Sequence, residues 1–150
     1  MSYCSVGNIR HWYTMPGTIG ERLDYCARCG APGPGIRPLT PGFKRALQIL
    51  SELSKRTRSS NPYGTVRPRD FALAMWPDAP GWNVHVNCGP KGVTKGRQMV
   101  MAGGALLGRL YKRKLVSYRW PPSSISRYYD GYVLSPHGIA ALKGIRRGKK

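Results

Sequence analysis

Two of the four cysteines could bind a metal ion, because Cys26 and Cys29 stand two residues apart in the run YCARCGAP and are followed by a glycine. A Cys-x-x-Cys-Gly turn is typical of a zinc knuckle, in which the tight turn lets backbone N–H groups point at the two sulfurs. In an intracellular chain, cysteines at this spacing favour a metal over a disulfide. One knuckle supplies two ligands, so a structural zinc ion needs a second pair.

Two other pairs could complete this zinc site. Cys4 and His11 precede the knuckle across a predicted hairpin, whereas His85 and Cys88 stand further along the chain in HVNCG. We favour Cys4 and His11, because closing the shorter loop costs less entropy. The zinc would be structural, and it would fold residues 1–39, which bury little core alone. The alternative is that the protein holds no metal and that Cys4 and Cys88 are ordinary small residues.

The remaining reactive residues do not suggest an enzyme. The chain has 6 acidic residues, and Glu52, Asp70 and Asp78 are too scattered to form a two-metal nuclease site. His137 lies in a helix-start motif rather than beside a nucleophile, and no serine stands in a nucleophile elbow. The Cys-x-x-Cys pair lacks the surrounding βαβ pattern of a redox protein. We therefore expect a binding protein without catalytic activity.

The charge indicates what the protein binds. The 150 residues include 25 Lys and Arg and 6 acidic residues, for a net charge of +19, and only Asp130 is acidic in residues 91–150. Such an excess destabilises a compact chain by self-repulsion unless an anionic partner neutralises it. Nucleic acid is the favoured partner.

An anionic membrane surface is the main alternative partner. The sequence shows neither a basic amphipathic helix with an aromatic apolar face nor an apolar run of membrane-spanning length.

The apolar pattern predicts the helices that position these charges. Thr40 can cap a first helix that begins at Pro41 and ends near Arg56. A second helix is expected from Pro68 to Trp76, where the following proline ends it. After a long connection, a third helix is expected to start near residue 94. Its predicted buried stripe is Met99, Gly103, Leu106, Leu107 and Leu110.

The C-terminal part of the chain changes to a strand pattern. The runs LVSYRW and GYVL predict a β-hairpin with a long basic and aromatic tip. Ser135 can cap a short last helix, with Pro136 in its first position. The residues that this helix is expected to bury are Ile139, Ala140 and Leu142.

This order of elements resembles a winged helix-turn-helix domain, an α+β fold of three helices, a β-hairpin wing and a short C-terminal helix. The runs GALLGRLYKRKLVSYRW and DGYVLSPHGIAALKG are similar to the end of the recognition helix and to the wing ending of small phage and prokaryotic regulators. The resemblance covers residues 40–143. Residues 1–39 resemble a small degenerate zinc ribbon with a Pro/Gly linker, and residues 144–150 read as a basic disordered tail. The long connection between the second and third helices departs from a simple helix-turn-helix.

The resemblance implies a DNA-binding transcription regulator that reads the major groove with a helix over residues 94–113 and the backbone or minor groove with a wing over residues 115–134. The run GPKGVTKGR, before that helix, could place glycine N–H groups and Lys91 on phosphates. The side chains expected to face bases are Thr94, Lys95, Arg97, Gln98 and Met101. Those expected to meet the backbone or the minor groove are Arg109, Lys112, Arg113, Lys114, Arg119, Arg127 and Tyr128.

Two other functions remain open from the sequence. One is an RNA-binding structural component, like the ribosomal proteins that are winged-helix domains of similar size and charge. The other is a phage adaptor that binds the host transcription machinery. Because the N-terminus has neither a basic start nor an apolar stretch, we expect no signal peptide and an intracellular location, in the cytoplasm or on the nucleoid.

Overall fold

The computed structural model describes residues 23–119 and 130–147, and this part of the chain is α+β. It contains four α-helices and two antiparallel two-stranded hairpins. The helices are α1 (Pro41–Thr57), α2 (Pro68–Met75), α3 (Arg97–Lys112) and α4 (Pro136–Arg147). The strands are β1 (His85–Asn87), β2 (Val93–Lys95), β3 (Val116–Arg119) and β4 (Gly131–Leu134). Within residues 23–119 and 130–147, every helix is too short or too polar to span a lipid bilayer.

Helices α1 and α2 begin where the sequence predicts. The Thr40 hydroxyl accepts a hydrogen bond from the N–H of Phe43 at 3.3 Å, and proline occupies the first turn of α1. This cap satisfies one of the N–H groups that a helix leaves unpaired at its start. Helix α1 buries Leu47 and Leu50, and α2 buries Phe71 in the same core. Both predicted helices are therefore confirmed, to within one residue at each end.

Helix α3 packs against α2 through a glycine. A Cβ atom built on Gly103 would lie 2.8 Å from both the Cβ of Ala72 and the carbonyl oxygen of Pro68, so no larger residue fits without moving the helices apart. The predicted stripe is buried at Gly103, Leu106, Leu107 and Leu110, and Met99 is half-buried. The predicted start near residue 94 is wrong, because the strand β2 occupies residues 93–95 and α3 begins at Arg97.

The hairpin β3–β4 joins α3 to α4 and closes the core. Val116 pairs with Leu134 and Tyr118 with Tyr132, and the segment before α2 is held to β4 by a bridge between Val66 and Tyr132. This confirms the hairpin predicted from LVSYRW and GYVL, whose tip lies outside the described residues.

Helix α4 begins as predicted but runs further. The Ser135 hydroxyl accepts a hydrogen bond from the N–H of Gly138 at 3.1 Å, as expected of a capping residue. Ala140 and Leu142 are buried, but Ile139 is 49% exposed, so the prediction that it is buried is wrong. The helix continues through residues 144–147, so the prediction that they belong to a disordered tail is wrong. An added turn places Ile145 against the core.

Residues 23–39 share the core of the helices rather than forming a separate segment. Leu23, Tyr25 and Leu39 are buried in the same cluster as the side chains of α1 and α3. The turn at Gly30 lies against α4, and a Cβ on Gly30 would come within 2.6 Å of the carbonyl oxygen of Ala140. The predicted boundary after residue 39 therefore does not separate two packing units in the described chain.

A small hairpin fills the long connection between α2 and α3. His85 pairs with Lys95, and Asn87 pairs with Val93. A short 3-10 helix, Pro80–Asn83, precedes the hairpin, and the indole N–H of Trp82 donates to the carbonyl oxygen of Trp76 at 2.6 Å. The sequence pattern did not predict these strands, which are three residues long.

Candidate nucleic-acid interface

The outer face of α3 is exposed and carries positive charge. Gln98, Met101, Arg109 and Lys112 are all exposed, as the periodicity predicts, and Met101 is 63% exposed. The sequence has no Asp or Glu from residue 79 to residue 129, a stretch that includes α3 and the hairpin before it. An anion that approaches this face therefore meets cations and no carboxylate from α3 itself or from the hairpin before it.

The middle of this face is built of small residues. Ala102 and Ala105 are exposed, and a Cβ atom built on Gly108 would meet nothing within 4 Å. Gly103 is explained by its contact with α2, whereas Gly108 has no such neighbour in the described chain. Small side chains leave the helix backbone open to close approach by another surface, because little projects from it. The longest apolar side chain on this part of the face is Met101.

Arg97 is exposed at the first turn of α3, but its guanidinium is held by the neighbouring hairpin. Its Nη1 donates to the Sγ of Cys88 at 2.8 Å, and this sulfur lies 3.0 Å from the Oγ1 of Thr94. The hydrogen bond from Thr94, and then that from Arg97, lower the pKa of the Cys88 thiol below its ordinary value, because they stabilise the thiolate. No local sequence pattern predicts that these three side chains meet.

Thr94 and Lys95 lie on β2 and not on α3, so their predicted place in the first turn of the helix is wrong. Gly96 separates them from the helix, and its φ of 73° lies in the left-handed region that favours glycine. Lys95 and Thr94 are nonetheless exposed, and so is Lys91 at the tip of the hairpin. These residues therefore adjoin the face of α3 without being part of it.

The glycines of the run GPKGVTKGR do not offer free N–H groups to a phosphate. The N–H of Gly89 donates to the Oδ1 of Asn87 at 3.0 Å, and that of Gly92 donates to the carbonyl oxygen of Gly89 at 2.9 Å. The N–H of Gly96 donates to the carbonyl oxygen of Val84 at 3.0 Å. These three N–H groups are therefore already paired within the protein, contrary to their predicted phosphate-binding role, whereas the side chains of Lys91 and Lys95 are exposed.

Arg113 has a structural position rather than the phosphate-facing position predicted for it. Its Nη2 donates to the hydroxyl of Tyr25 at 3.2 Å and to the carbonyl oxygen of Arg37 at 3.0 Å. Its guanidinium carbon also lies 5.5 Å from the ring centroid of Phe43. Burial raises the pKa of the Tyr25 hydroxyl, and the charge of Arg113 partly offsets this rise. Arg113 thus holds residues 23–39 against the end of α3.

Lys114 is exposed and ends α3 in an unusual conformation. Its φ is 59°, the only positive φ of a non-glycine residue in the described chain. The N–H of Leu115 donates to the carbonyl oxygen of Leu110 at 3.0 Å, and the N–H of Lys114 donates to the carbonyl oxygen of Tyr111 at 2.9 Å. These two bonds form a Schellman motif, in which glycine usually occupies the position of Lys114. The lysine side chain remains available for a partner at the C-terminal end of α3.

The described residues include the two strands of the predicted wing, β3 and β4. Arg119 is exposed at the end of β3, while Arg127 and Tyr128 lie outside the described residues. The rings of Tyr118 and Tyr132 pack edge to face across the two strands, with 5.0 Å between their centroids. The described part of the hairpin thus ends in one exposed cation.

The two cysteines of the predicted knuckle lie together in a buried turn. Cys26 is 0% exposed and Cys29 is 6% exposed, and they form a cluster apart from the main core. The N–H of Cys26 donates to the carbonyl oxygen of Ala31, and the N–H of Gly30 donates to that of Cys26, both at 2.8 Å. Gly30 has a φ of +75°, which suits the tight turn of a Cys-x-x-Cys-Gly knuckle.

The second pair of zinc ligands is not found among the described residues. No three His, Cys, Asp or Glu side chains of residues 23–119 and 130–147 come together to hold a metal ion. His85 and Cys88, the alternative pair, lie on the β1–β2 hairpin and are not grouped with Cys26 and Cys29 in this part of the chain. Cys4 and His11, the favoured pair, lie outside the described residues.

Known proteins give no direct indication of function. Comparison with protein families, with curated proteins and with solved structures finds no match to this chain. The exposed basic surface around α3 is therefore the feature from which a function can be inferred.

Proposed function

We propose that the protein binds double-stranded DNA as a transcription regulator of the winged helix-turn-helix type, with α3 as the recognition helix. The observation that carries the proposal is the exposed face of α3, which has Arg109 and Lys112 near one end, a cationic hairpin at the other, and small residues between. The order of α1, α2, α3, β3 and β4 supports the winged-helix assignment. So does the bridge between Val66 and Tyr132, which joins the segment before α2 to β4.

The dimensions and side chains of α3 suit a major groove. Its 16 residues make a rod of about 24 Å, and the major groove of B-DNA is about 12 Å wide and admits an α-helix. Gln98 can pair with an adenine, and Met101 can contact a thymine methyl group. Ala105 and Gly108 allow the helix backbone to approach the base edges closely.

The cations around α3 would supply the sequence-independent part of binding. Arg109, Lys112 and Lys114 are exposed along the C-terminal half of α3 and just beyond it, where they can meet phosphates. Arg119 extends this surface onto the hairpin β3–β4, and Arg127 and Tyr128 remain predicted members of it. Arg113 is omitted from the proposed interface, because its guanidinium binds within the protein.

A titration of labelled duplex DNA at several salt concentrations tests the proposal. If about 6–10 phosphates are contacted, affinity should fall by about 10³–10⁵ between 50 and 200 mM salt. Selection from a random DNA library would then give the preferred sequence. A response that is flat in salt would contradict DNA binding.

Competition with double-stranded RNA separates the proposal from the RNA-binding alternative. The major groove of A-form RNA is too deep and narrow for side chains to read, so a helix that enters a major groove should prefer DNA. Tighter binding to structured RNA than to DNA of the same length would instead favour a ribonucleoprotein component. Weak binding to both would favour the adaptor that binds host proteins.

We also propose that Cys26 and Cys29 are two ligands of a structural zinc ion, with Cys4 and His11 as the other two. The proposal is supported by the two buried sulfurs in one tight turn and by the hydrogen bonds that shape that turn. Bound zinc would hold the thiolates as ligands and would fix the turn against α4, and it would take no part in DNA recognition.

A further inference from the structure

The hairpin β1–β2 is an exposed arm with little packing of its own. All three residues of β2 are exposed, Val93 to 64%, and in β1 only Val86 is partly covered. The two strands contact each other extensively, but within the described chain neither packs broadly on another helix or strand. A two-stranded hairpin on its own is marginally stable in water, so a partner that covers it would be expected.

The base of this arm is fixed to the start of α3. A Cβ on Gly96 would lie 2.7 Å from the Trp82 ring, which itself hydrogen-bonds to the chain at the end of α2. The N–H of Gly96 donates to the carbonyl oxygen of Val84, which closes the hairpin at its base. Arg97 then ties the first turn of α3 to Cys88. The arm therefore has a defined position relative to the exposed face of α3.

The two faces of the arm have different environments. Side chains alternate along antiparallel strands, so His85 and Lys95, which are directly opposite, share a face with Asn87 and Val93. All four are exposed. The other face carries Thr94 and Cys88, and the Cys88 sulfur contacts both Thr94 and Arg97. The free face and the tip, with Lys91, thus present cations and no carboxylate to a partner.

We propose that the arm β1–β2 is a second DNA-binding element, which contacts the phosphate backbone of duplex DNA beside the groove that α3 enters. This inference rests on the proposed function. The arm joins the N-terminal end of α3 and the hairpin β3–β4 follows its C-terminal end, so the two hairpins flank the recognition helix. Lys91 and Lys95 are point charges that attract phosphates without reading bases.

A double variant tests this role of the arm. Lys91→Ala with Lys95→Ala removes two exposed charges, and the matched control, Lys55→Ala with Arg56→Ala, removes two exposed charges from the last turn of α1. The arm variant should lower the magnitude of the slope of log K against log salt by about two and weaken binding at 0.1 M salt at least about tenfold, for all DNA sequences alike. The control should bind like wild type.

Phosphate ethylation interference locates the contact. The wild-type protein should be blocked by ethylation of phosphates on both sides of the site, and the arm variant should lose sensitivity on one side only. If the arm variant keeps the wild-type slope and interference pattern while the wild-type protein binds DNA with a steep salt dependence, the arm proposal is overturned and the proposed function stands. If the wild-type protein shows no salt-dependent binding to duplex DNA, the proposed function fails and the arm proposal with it.

Discussion

The guanidinium of Arg97 donates a hydrogen bond from Nη1 to the Sγ of Cys88 at 2.8 Å, so the first residue of α3 is joined to the β1–β2 arm. Thr94 contacts the same sulfur at 3.0 Å. Both the base-facing role proposed for Arg97 and the chemistry of Cys88 depend on this contact.

Cys88 should react with iodoacetamide at a lower pH than an ordinary exposed thiol. The hydrogen bonds from Thr94 and Arg97 lower the pKa of Cys88, so more of the reactive thiolate is present at a given pH. The pH dependence of alkylation, followed by mass spectrometry of the peptide that contains Cys88, measures this shift. Thr94→Val should move the midpoint to higher pH. An unchanged midpoint in that variant would contradict the proposed cause.

Arg97→Ala and Lys112→Ala should affect DNA binding differently. If Arg97 leaves Cys88 to pair with a guanine, its loss should cost about 1–3 kcal/mol for the preferred sequence and relax preference at one base pair. Lys112 would contact a phosphate, so its loss should weaken all sequences alike and lower the salt slope by about one. Titrations with the selected sequence and with single-base variants of it measure both effects. The reverse pattern would mean that α3 enters the groove in another orientation.

Arg113→Ala should destabilise the protein more than it weakens DNA binding. The change removes hydrogen bonds to the Tyr25 hydroxyl and the Arg37 carbonyl, together with a contact to the Phe43 ring. A loss of about 1–3 kcal/mol in the free energy of unfolding is expected, and urea denaturation measures it. Lys112→Ala, which removes an exposed charge one residue earlier, should leave this free energy almost unchanged. If the two variants have equal free energies of unfolding, the structural role of Arg113 is contradicted and the predicted contact with DNA is favoured instead.

Lys114→Gly should stabilise the protein by about 1 kcal/mol. Residue 114 has a φ of 59°, in the left-handed region, where a Cβ atom clashes with the backbone. Glycine has no Cβ and adopts this conformation without that strain. Thermal unfolding compares the variant with wild type, and Lys114→Ala serves as the control because it removes the charge but keeps the Cβ. Stabilisation by both variants would attribute the effect to charge repulsion rather than to the backbone.

The purified protein should contain one zinc ion per chain. Elemental analysis should find this stoichiometry in the wild-type protein and a loss of zinc in Cys26→Ser, while Cys88→Ser should keep the metal because Cys88 lies on the separate arm. A chelator should lower the thermal stability of the wild-type protein and not that of Cys26→Ser. Absence of zinc from a protein purified without chelators would contradict the proposed site.

Local signals in the sequence predict where α1, α2 and α4 begin, whereas short strands and long-range contacts account for what they miss. Thr40 and Pro41 mark the start of α1, because capping depends on residues a few positions apart. The arm escaped prediction because strands of three residues carry no clear periodicity, although the glycines of GPKG do indicate a turn. The contact between Arg113 and Tyr25 cannot be predicted from a local pattern, because the two residues are 88 positions apart in the sequence.

The contact between residues 23–39 and α4 also constrains when the fold can be completed. The N–H of Asp24 donates a hydrogen bond to the Nδ1 of His137, which is 113 positions away in the sequence. The Nζ of Lys143 donates to the carbonyl oxygen of Ala27, which is 116 positions away. During vectorial synthesis, α1, α2 and α3 can assemble from neighbouring residues as they emerge, but the cysteine turn has to wait for α4 before it can dock. The earliest-made part of the described chain is therefore among the last to reach its native contacts.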